Sequence, residues 1–149
     1  LESLNIKIGS RVIQIHNIKD ESKIDPKLDV LELSKKADLS PVRCLNKSAE
    51  KKMIKIIDDA KKSGDSVGGI FEIFATGLPY GLGSYTQWDL KLQARITSLI
   101  MSVNAYKGIE IGGGMKGAEK YGSEIHDEIG LKEDHFIRHS NNAGGMKVV

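Results

Sequence analysis

Apolar and polar positions alternate from Arg11 to Ile18, where Ile13 and Ile15 interleave with Gln14 and His16. A period of two is the signature of a half-buried strand. Residues 17–41 are charged and carry Pro26 and Pro41, which predicts a long connection with one short helical turn around Val30 to Lys35. The period then changes. Met53, Ile56, Ile57 and Ala60 recur at helical spacing, Ser48 stands where an N-cap would, Glu50 suits the first turn, and Gly64 suits a C-terminal cap. Asp65 to Gly69 reads as a turn. Ile70 to Ala75 is apolar on both faces except at Glu72, which predicts a strand in the middle of a sheet.

Gly77 to Ser84 contains Gly77, Gly81, Gly83 and Pro79 and reads as a loop. Beyond it, Trp88, Leu92, Ile96, Leu99, Ile100 and Val103 form a stripe at steps of three and four, widened by Ala94, Met101 and Ala105. Such a stripe predicts a largely buried helix of about four turns, with Arg95 free to reach a surface or partner. Gly108 ends it, and Gly108 to Ile111 reads as a short strand. From Gly112 to Gly145 the chain is rich in glycine and charge with little apolar periodicity, so it lacks a core of its own. Residues 112–149 are therefore expected to be a mobile loop region within a single domain spanning 1–149.

Composition changes this picture little. The 149 residues are 40% hydrophobic and 28% charged, the range of an ordinary soluble domain. A net charge of +2 gives no reason to expect a nucleic-acid partner. Six lysines between Lys47 and Lys62 are interspersed with Glu50, Asp58 and Asp59, which reads as the solvated face of the helix. No run approaches the roughly 18 apolar residues of a membrane span. Cys44 is the single cysteine and excludes an internal disulfide, which points to a reducing compartment, the cytoplasm. The chain opens at Leu1 and closes on Val149 after a Gly-rich run, so it is expected to be a truncated piece of a longer protein.

Three patterns bear on chemistry. Gly112, Gly114 and Gly117 satisfy G-x-G-x-x-G after an expected strand, as a phosphate- or dinucleotide-binding loop requires. No convincing helix follows, however, because Gly122 comes early, and no second strand ends in an acid at the right distance. His126 lies between Glu124 and Glu128, and His135 and His139 are four apart, a metal-ligand spacing on a helix. The run from Ser140 to Gly144 is turn chemistry and argues against that helix. Ser140-Asn141-Asn142-Ala143-Gly144-Gly145 joins small residues to side-chain amides, which suits either a planar polar ligand or a plain surface turn.

Taken in order, several blocks resemble chorismate synthase. They are Asp65-Ser66-Val67-Gly68-Gly69, the loop from Gly77 to Gly83, the helix from Trp88 to Arg95, and Met101 to Gly112. Gly122 to Glu128 and Arg138 to Gly145 complete the set, and the likeness is weakest from Leu1 to Arg43. The resemblance implies an α+β fold in which helices pack between antiparallel sheets, a β-α-β sandwich. It implies a lyase that converts 5-enolpyruvylshikimate 3-phosphate to chorismate by a 1,4-elimination of phosphate, with reduced FMN and no net redox change. It also implies a homotetramer with no nucleic-acid or membrane partner, and flavin contacts at Asn142 and Ala143.

Other parts of the family pattern are absent from these 149 residues. The Gly-Glu-Ser-His-Gly motif, the Ser-Ala-Arg-Glu-Thr segment, and the Lys-Pro-Thr-Ser-Ser and Arg-Asp motifs do not occur. In the family these supply most phosphate-binding arginines, both acid-base histidines and much of the flavin site. His126, Arg138 and His139 are near misses, and no catalytic residue is assigned in this chain. Two other readings stay open: a non-catalytic structural module that keeps the central scaffold, and a phosphate- or dinucleotide-binding domain built on the Gly112 loop.

Overall fold

Arg11 to Ile15 of the alternating segment lies in the middle strand of a sheet, and the chain turns at His16-Asn17 instead of running on as one strand to Ile18. In the computed structural model, which describes residues 4–24, 28–79, 81–132, 135–138, 140 and 142, strand β1 runs Lys7–Ile15. It pairs antiparallel with the short β2 (Ile18–Lys19) on one side and with β3 (Gly69–Thr76) on the other. The β1–β3 register runs from Lys7 opposite Thr76 to Ile15 opposite Gly69, with an irregularity between Val12 and Gln14. The expectation that Ile70 to Ala75 lies centrally is corrected. β3 is at the edge of the described sheet, and Ile70, Phe71 and Ile73 are exposed. Its two-faced apolar pattern was the right signal for a strand. Among the described residues, however, only β1 pairs with it.

Helix α1 (Val30–Asp38) extends the short turn expected around Val30 to Lys35. Asp29 caps it, its Oδ1 accepting the Leu31 N–H at 2.8 Å. Val30, Leu33 and Ala37 are buried, as is Ile6 just before β1. A methyl group at Gly9 would overlap the Val30 carbonyl, so glycine is what lets the helix approach the strand so closely.

Helix α2 (Lys47–Ser63) ends at Gly64 in the left-handed conformation, as expected. Its start differs. Asn46, rather than Ser48, is the cap, and its Oδ1 accepts the N–H groups of Ser48 at 2.9 Å and Ala49 at 3.0 Å. Ala49 and Met53 are buried with Cys44, against the partly buried Ile15, Ile18 and Val42. All six lysines of the segment are exposed, so the basic run is a solvated face.

A polar joint ties these pieces together. Asp20, 6% exposed, accepts hydrogen bonds from Ser22 N–H at 2.9 Å, Leu45 N–H at 2.7 Å, Asn46 N–H at 3.2 Å and the Cys44 thiol at 3.2 Å. Beside it the buried Arg11 meets Glu72 across the sheet at 2.5 Å and donates to the Ser22 carbonyl at 2.9 Å. One buried carboxylate thus anchors the loop after β2 to the start of α2.

The chain divides into two compact units, Leu1–Leu78 and Pro79–Val149. In the second, the long helix expected from Trp88 to Val103 is corrected to a 3-10 turn, Trp88–Leu90, followed by α3 (Leu92–Met101). Lys91 is extended between them and offers no side-chain cap, so the helix restarts there. No residue of α3 is buried, and Leu99 is 70% and Trp88 79% exposed. Gly108 to Ile111 forms no strand. Downstream, where little regular structure was expected, the chain makes a 3-10 segment Gly114–Glu119 and a single-turn helix α4 (Gly122–Ile125). An antiparallel pair follows, β4 (Ile129–Lys132) with β5 (His135–Arg138).

Candidate functional site

Two glycine-rich segments that the sequence separates meet at Asn142, whose turn is held by one carboxylate. Asp127 follows α4 and precedes β4, and Ser140 and Asn142 follow β5. The antiparallel pairing of β4 with β5 returns the chain, so the residues just beyond β5 arrive beside those just before β4. There Asp127 Oδ1 accepts both the Ser140 Oγ–H and the Asn142 backbone N–H, each at 2.6 Å. Hydrogen bonds to an ionised acceptor are about twice as strong as neutral ones, and these are short.

The Asn142 carbonyl is engaged as well. It accepts the Gly113 N–H at 2.9 Å, which brings the Gly112 loop against the Asn142 turn. That loop is fixed from its other side by Glu110, whose Oε2 accepts the Met115 N–H at 3.2 Å. Gly114 has φ +55°, which favours glycine, and a side chain there would displace the Glu110 carboxylate. With both backbone polar groups of the half-buried Asn142 bonded within the chain, its side-chain amide is the polar group left over. Among the described residues that amide has no hydrogen-bond partner.

The comparisons with known proteins decide what this arrangement belongs to. A family model described as chorismate synthase matches residues 1–148. The chain belongs to the chorismate synthase family. It is 47% identical to "Chorismate synthase 1" of Bacillus thuringiensis (strain Al Hakam) over 148 residues, covering 99% of this chain and 37% of that protein. Against "Chorismate synthase" of Listeria welshimeri the identity is again 47%, over 99% of this chain and 38% of that protein. A crystal structure of chorismate synthase superposes with a TM-score of 0.86 at 39% identity, over 97% of this chain and 45% of that one. The α+β fold of antiparallel sheets with helices is therefore a portion of the chorismate synthase fold. The chain spans less than two-fifths of the length of these curated relatives.

Of the residues singled out in the sequence, Asn142 lies at the junction just described, while Ala143 lies outside the described residues. His139, Asn141, Gly144 and Gly145 lie outside them as well. His126 is exposed beside Asp127, and His135 and Arg138 lie in β5. His135 is thus on a strand, which removes the helical geometry behind a His135–His139 metal pair. The Gly112 fingerprint also loses its context. A 3-10 segment follows it instead of a long helix, and Gly113 N–H, which would face a phosphate, is bonded to Asn142. Sequence reasoning missed Asp127. Its only local signal was a position between a histidine and a glutamate, and the partners that give it meaning are 13 and 15 residues away.

Cys44, the one cysteine, is not set up for chemistry. Burial and the neighbouring Asp20 push its thiol up to about 11. At neutral pH it stays protonated and weakly nucleophilic.

Proposed function

We propose that this chain is the central portion of a chorismate synthase, a carbon–oxygen lyase of aromatic amino acid biosynthesis. The reaction is the 1,4-elimination of phosphate from 5-enolpyruvylshikimate 3-phosphate to give chorismate, with reduced FMN as cofactor. The observation that carries this reading is the family match over residues 1–148, in a chain whose backbone superposes on a chorismate synthase at a TM-score of 0.86.

The flavin contact is at Asn142 and Ala143, as the family resemblance implies, and the geometry at Asn142 supports it. A buttressed turn with a spare amide can both donate to and accept from the polar edge or ribityl hydroxyls of FMN. Reduced flavin, when bound, supplies an electron-rich ring that assists departure of phosphate with no net redox change. This chain's own part is to hold the Asn142 turn against Asp127 and Gly113, so that the amide is presented in one orientation. The cations that bind phosphate and the histidines that move protons belong to segments outside these 149 residues, as does most of the flavin site. A homotetramer in the cytoplasm completes the reading. Among the described residues no helix is long and apolar enough to cross a membrane, and the single buried cysteine suits a reducing compartment.

The test is an assay with 5-enolpyruvylshikimate 3-phosphate and dithionite-reduced FMN. A longer polypeptide carrying residues 1–149 and the family's flanking motifs is expected to release chorismate and phosphate, and the 149-residue chain alone is not. Absence of turnover in the longer polypeptide would overturn the reading. Turnover by the short chain at a comparable rate would overturn the division of labour. Replacing Asn142 by Ala in the longer protein is expected to weaken FMN binding up to about tenfold, the cost of one neutral hydrogen bond.

A further inference from the structure

Asp127 holds the residue on which the proposed flavin contact depends. Its Oδ1 takes two hydrogen bonds at 2.6 Å, from the Ser140 hydroxyl and the Asn142 N–H. The Asn142 carbonyl takes a third, from Gly113 N–H at 2.9 Å. A backbone pinned at both its N–H and its C=O leaves the Asn142 side chain few orientations, and ordering it in advance removes an entropic cost from binding. Asp127 lies before β4 and Ser140 beyond β5, so the clamp also ties together the two ends of the strand pair.

We propose that Asp127 is a positioning residue for FMN. Through Ser140 and the Asn142 backbone it fixes the turn whose side-chain amide meets the flavin, and it touches neither cofactor nor substrate. This inference rests on the placement of FMN at Asn142 proposed above. Two properties follow that a residue needed only for folding would not have. Acceptor geometry matters more than charge, because the carboxamide of Asp127→Asn can still accept both hydrogen bonds. The effect also runs through Asn142, so the two residues are energetically coupled.

The experiment is anaerobic titration calorimetry of reduced FMN into the full-length protein. The variants are Asp127→Ala, Asp127→Asn, Asn142→Ala and the Asp127→Ala/Asn142→Ala double, each checked for intact folding by circular dichroism and thermal melting. Asp127→Ala is expected to weaken binding about tenfold, and Asp127→Asn to stay within about threefold of wild type. The double variant is expected to bind no more than about twofold more weakly than the weaker single variant. Should Asp127→Ala not fold, Asp127→Glu enters the same cycle, since it keeps the charge and shifts the oxygen by one methylene. Losses that multiply in the double variant would overturn the positioning role, as would wild-type affinity in Asp127→Ala or Asp127→Glu. Wild-type affinity in Asn142→Ala would instead overturn the flavin placement itself, so the two failures are distinguishable.

Discussion

Helices α2 and α3 both repeat apolar residues at steps of three and four, and they end in different surroundings. In α2 the N-terminal end of the stripe is sunk into a core: Ala49 and Met53 are buried with Cys44, and Ile15, Ile18 and Val42 pack against them, while Ile56, Ile57 and Ala60 are half-buried. In α3 Leu99 is 70% exposed, and no residue of the helix is buried. Periodicity reports what a segment is built to bury in its final assembly. It does not report whether the covering surface lies in the same stretch of chain. α2 finds its cover in the β1–β2 turn and in the loop pinned by Asp20, all within the first unit. Among the described residues α3 is covered only in part, with Leu92, Ile96 and Ile100 half-buried, and the chain spans 37% of its Bacillus thuringiensis relative.

The largest effect that sharpens this contrast belongs to α2. Met53→Ala empties a site with no solvent exposure and should cost about 2–5 kcal/mol, read as a lower denaturation midpoint by circular dichroism in urea. A loss under 1 kcal/mol would mean that the α2 core is no better packed than α3.

The next effect tests the joint that makes the first unit cohere. Burial works to raise the Asp20 carboxyl, but hydrogen bonds from the Ser22 side chain and backbone, Cys44 and Leu45 outweigh it and hold it at about 2. A folded value below the ordinary 3.8 means that the charged form is favoured in the native state. The resulting stability, about 2 kcal/mol, is complete above pH ~5 and is lost as the pH falls through about 2. Urea midpoints measured from pH 5 to pH 2 should fall for the wild type and fall less for Asp20→Asn. Asp29, lowered by Lys7, and Glu50, lowered by Ser40 and Lys47, contribute to the same acid limb, and comparison with the variant separates Asp20 from them. Parallel pH profiles would remove Asp20 as the joint.

How far the sequence foretold these differences depends on the range of the interaction. Short-range signals read well: Ile13 and Ile15 for β1, the Met53 to Ala60 spacing and Gly64 for α2. Asn46 replaced Ser48 as the cap because its carboxamide oxygen serves two N–H groups at once, a choice that local spacing leaves open. The β4–β5 pair was missed because only four residues form each strand, and Glu133-Asp134 between them lacks the Gly or Asn that marks a tight hairpin. At the candidate site, Asn142 came from the family resemblance. The Asp127 clamp spans 13 and 15 residues and the Gly113–Asn142 bond 29, distances at which no residue pattern announces a partner. The α3 stripe was legible as a pattern and misread as burial within this chain.

A smaller effect tests whether the start of α2 is set by its cap. Asn46→Ala removes the acceptor for Ser48 and Ala49 N–H and should cost about 1 kcal/mol. Ser48→Ala, at the position the sequence favoured, should cost less than half as much by the same urea titration. The reverse ranking would return the cap to Ser48.

The smallest expected effect is the one that tests α3 most directly. Leu99 is already 70% exposed, so Leu99→Ala in the 149-residue chain removes little surface from contact and should cost less than ~0.5 kcal/mol. The same substitution in the longer polypeptide should cost about 2–5 kcal/mol, because a stripe running from Trp88 through Leu92, Ile96, Leu99 and Ile100 to Val103 is what a buried helix carries. Leu92, Ile96 and Ile100 are already half-buried in the chain alone, so the helix has a seat on one side, and Leu99 with Trp88 and Val103 forms the face left over. Paired urea titrations of the two proteins, wild type against Leu99→Ala, measure the difference. A loss of 2 kcal/mol or more in the short chain would mean that α3 is buried there after all, which would break the contrast with α2. A loss below ~0.5 kcal/mol in both proteins would mean that the exposed half of the stripe faces solvent in the complete enzyme, so that its regular spacing reflects helix formation and not burial.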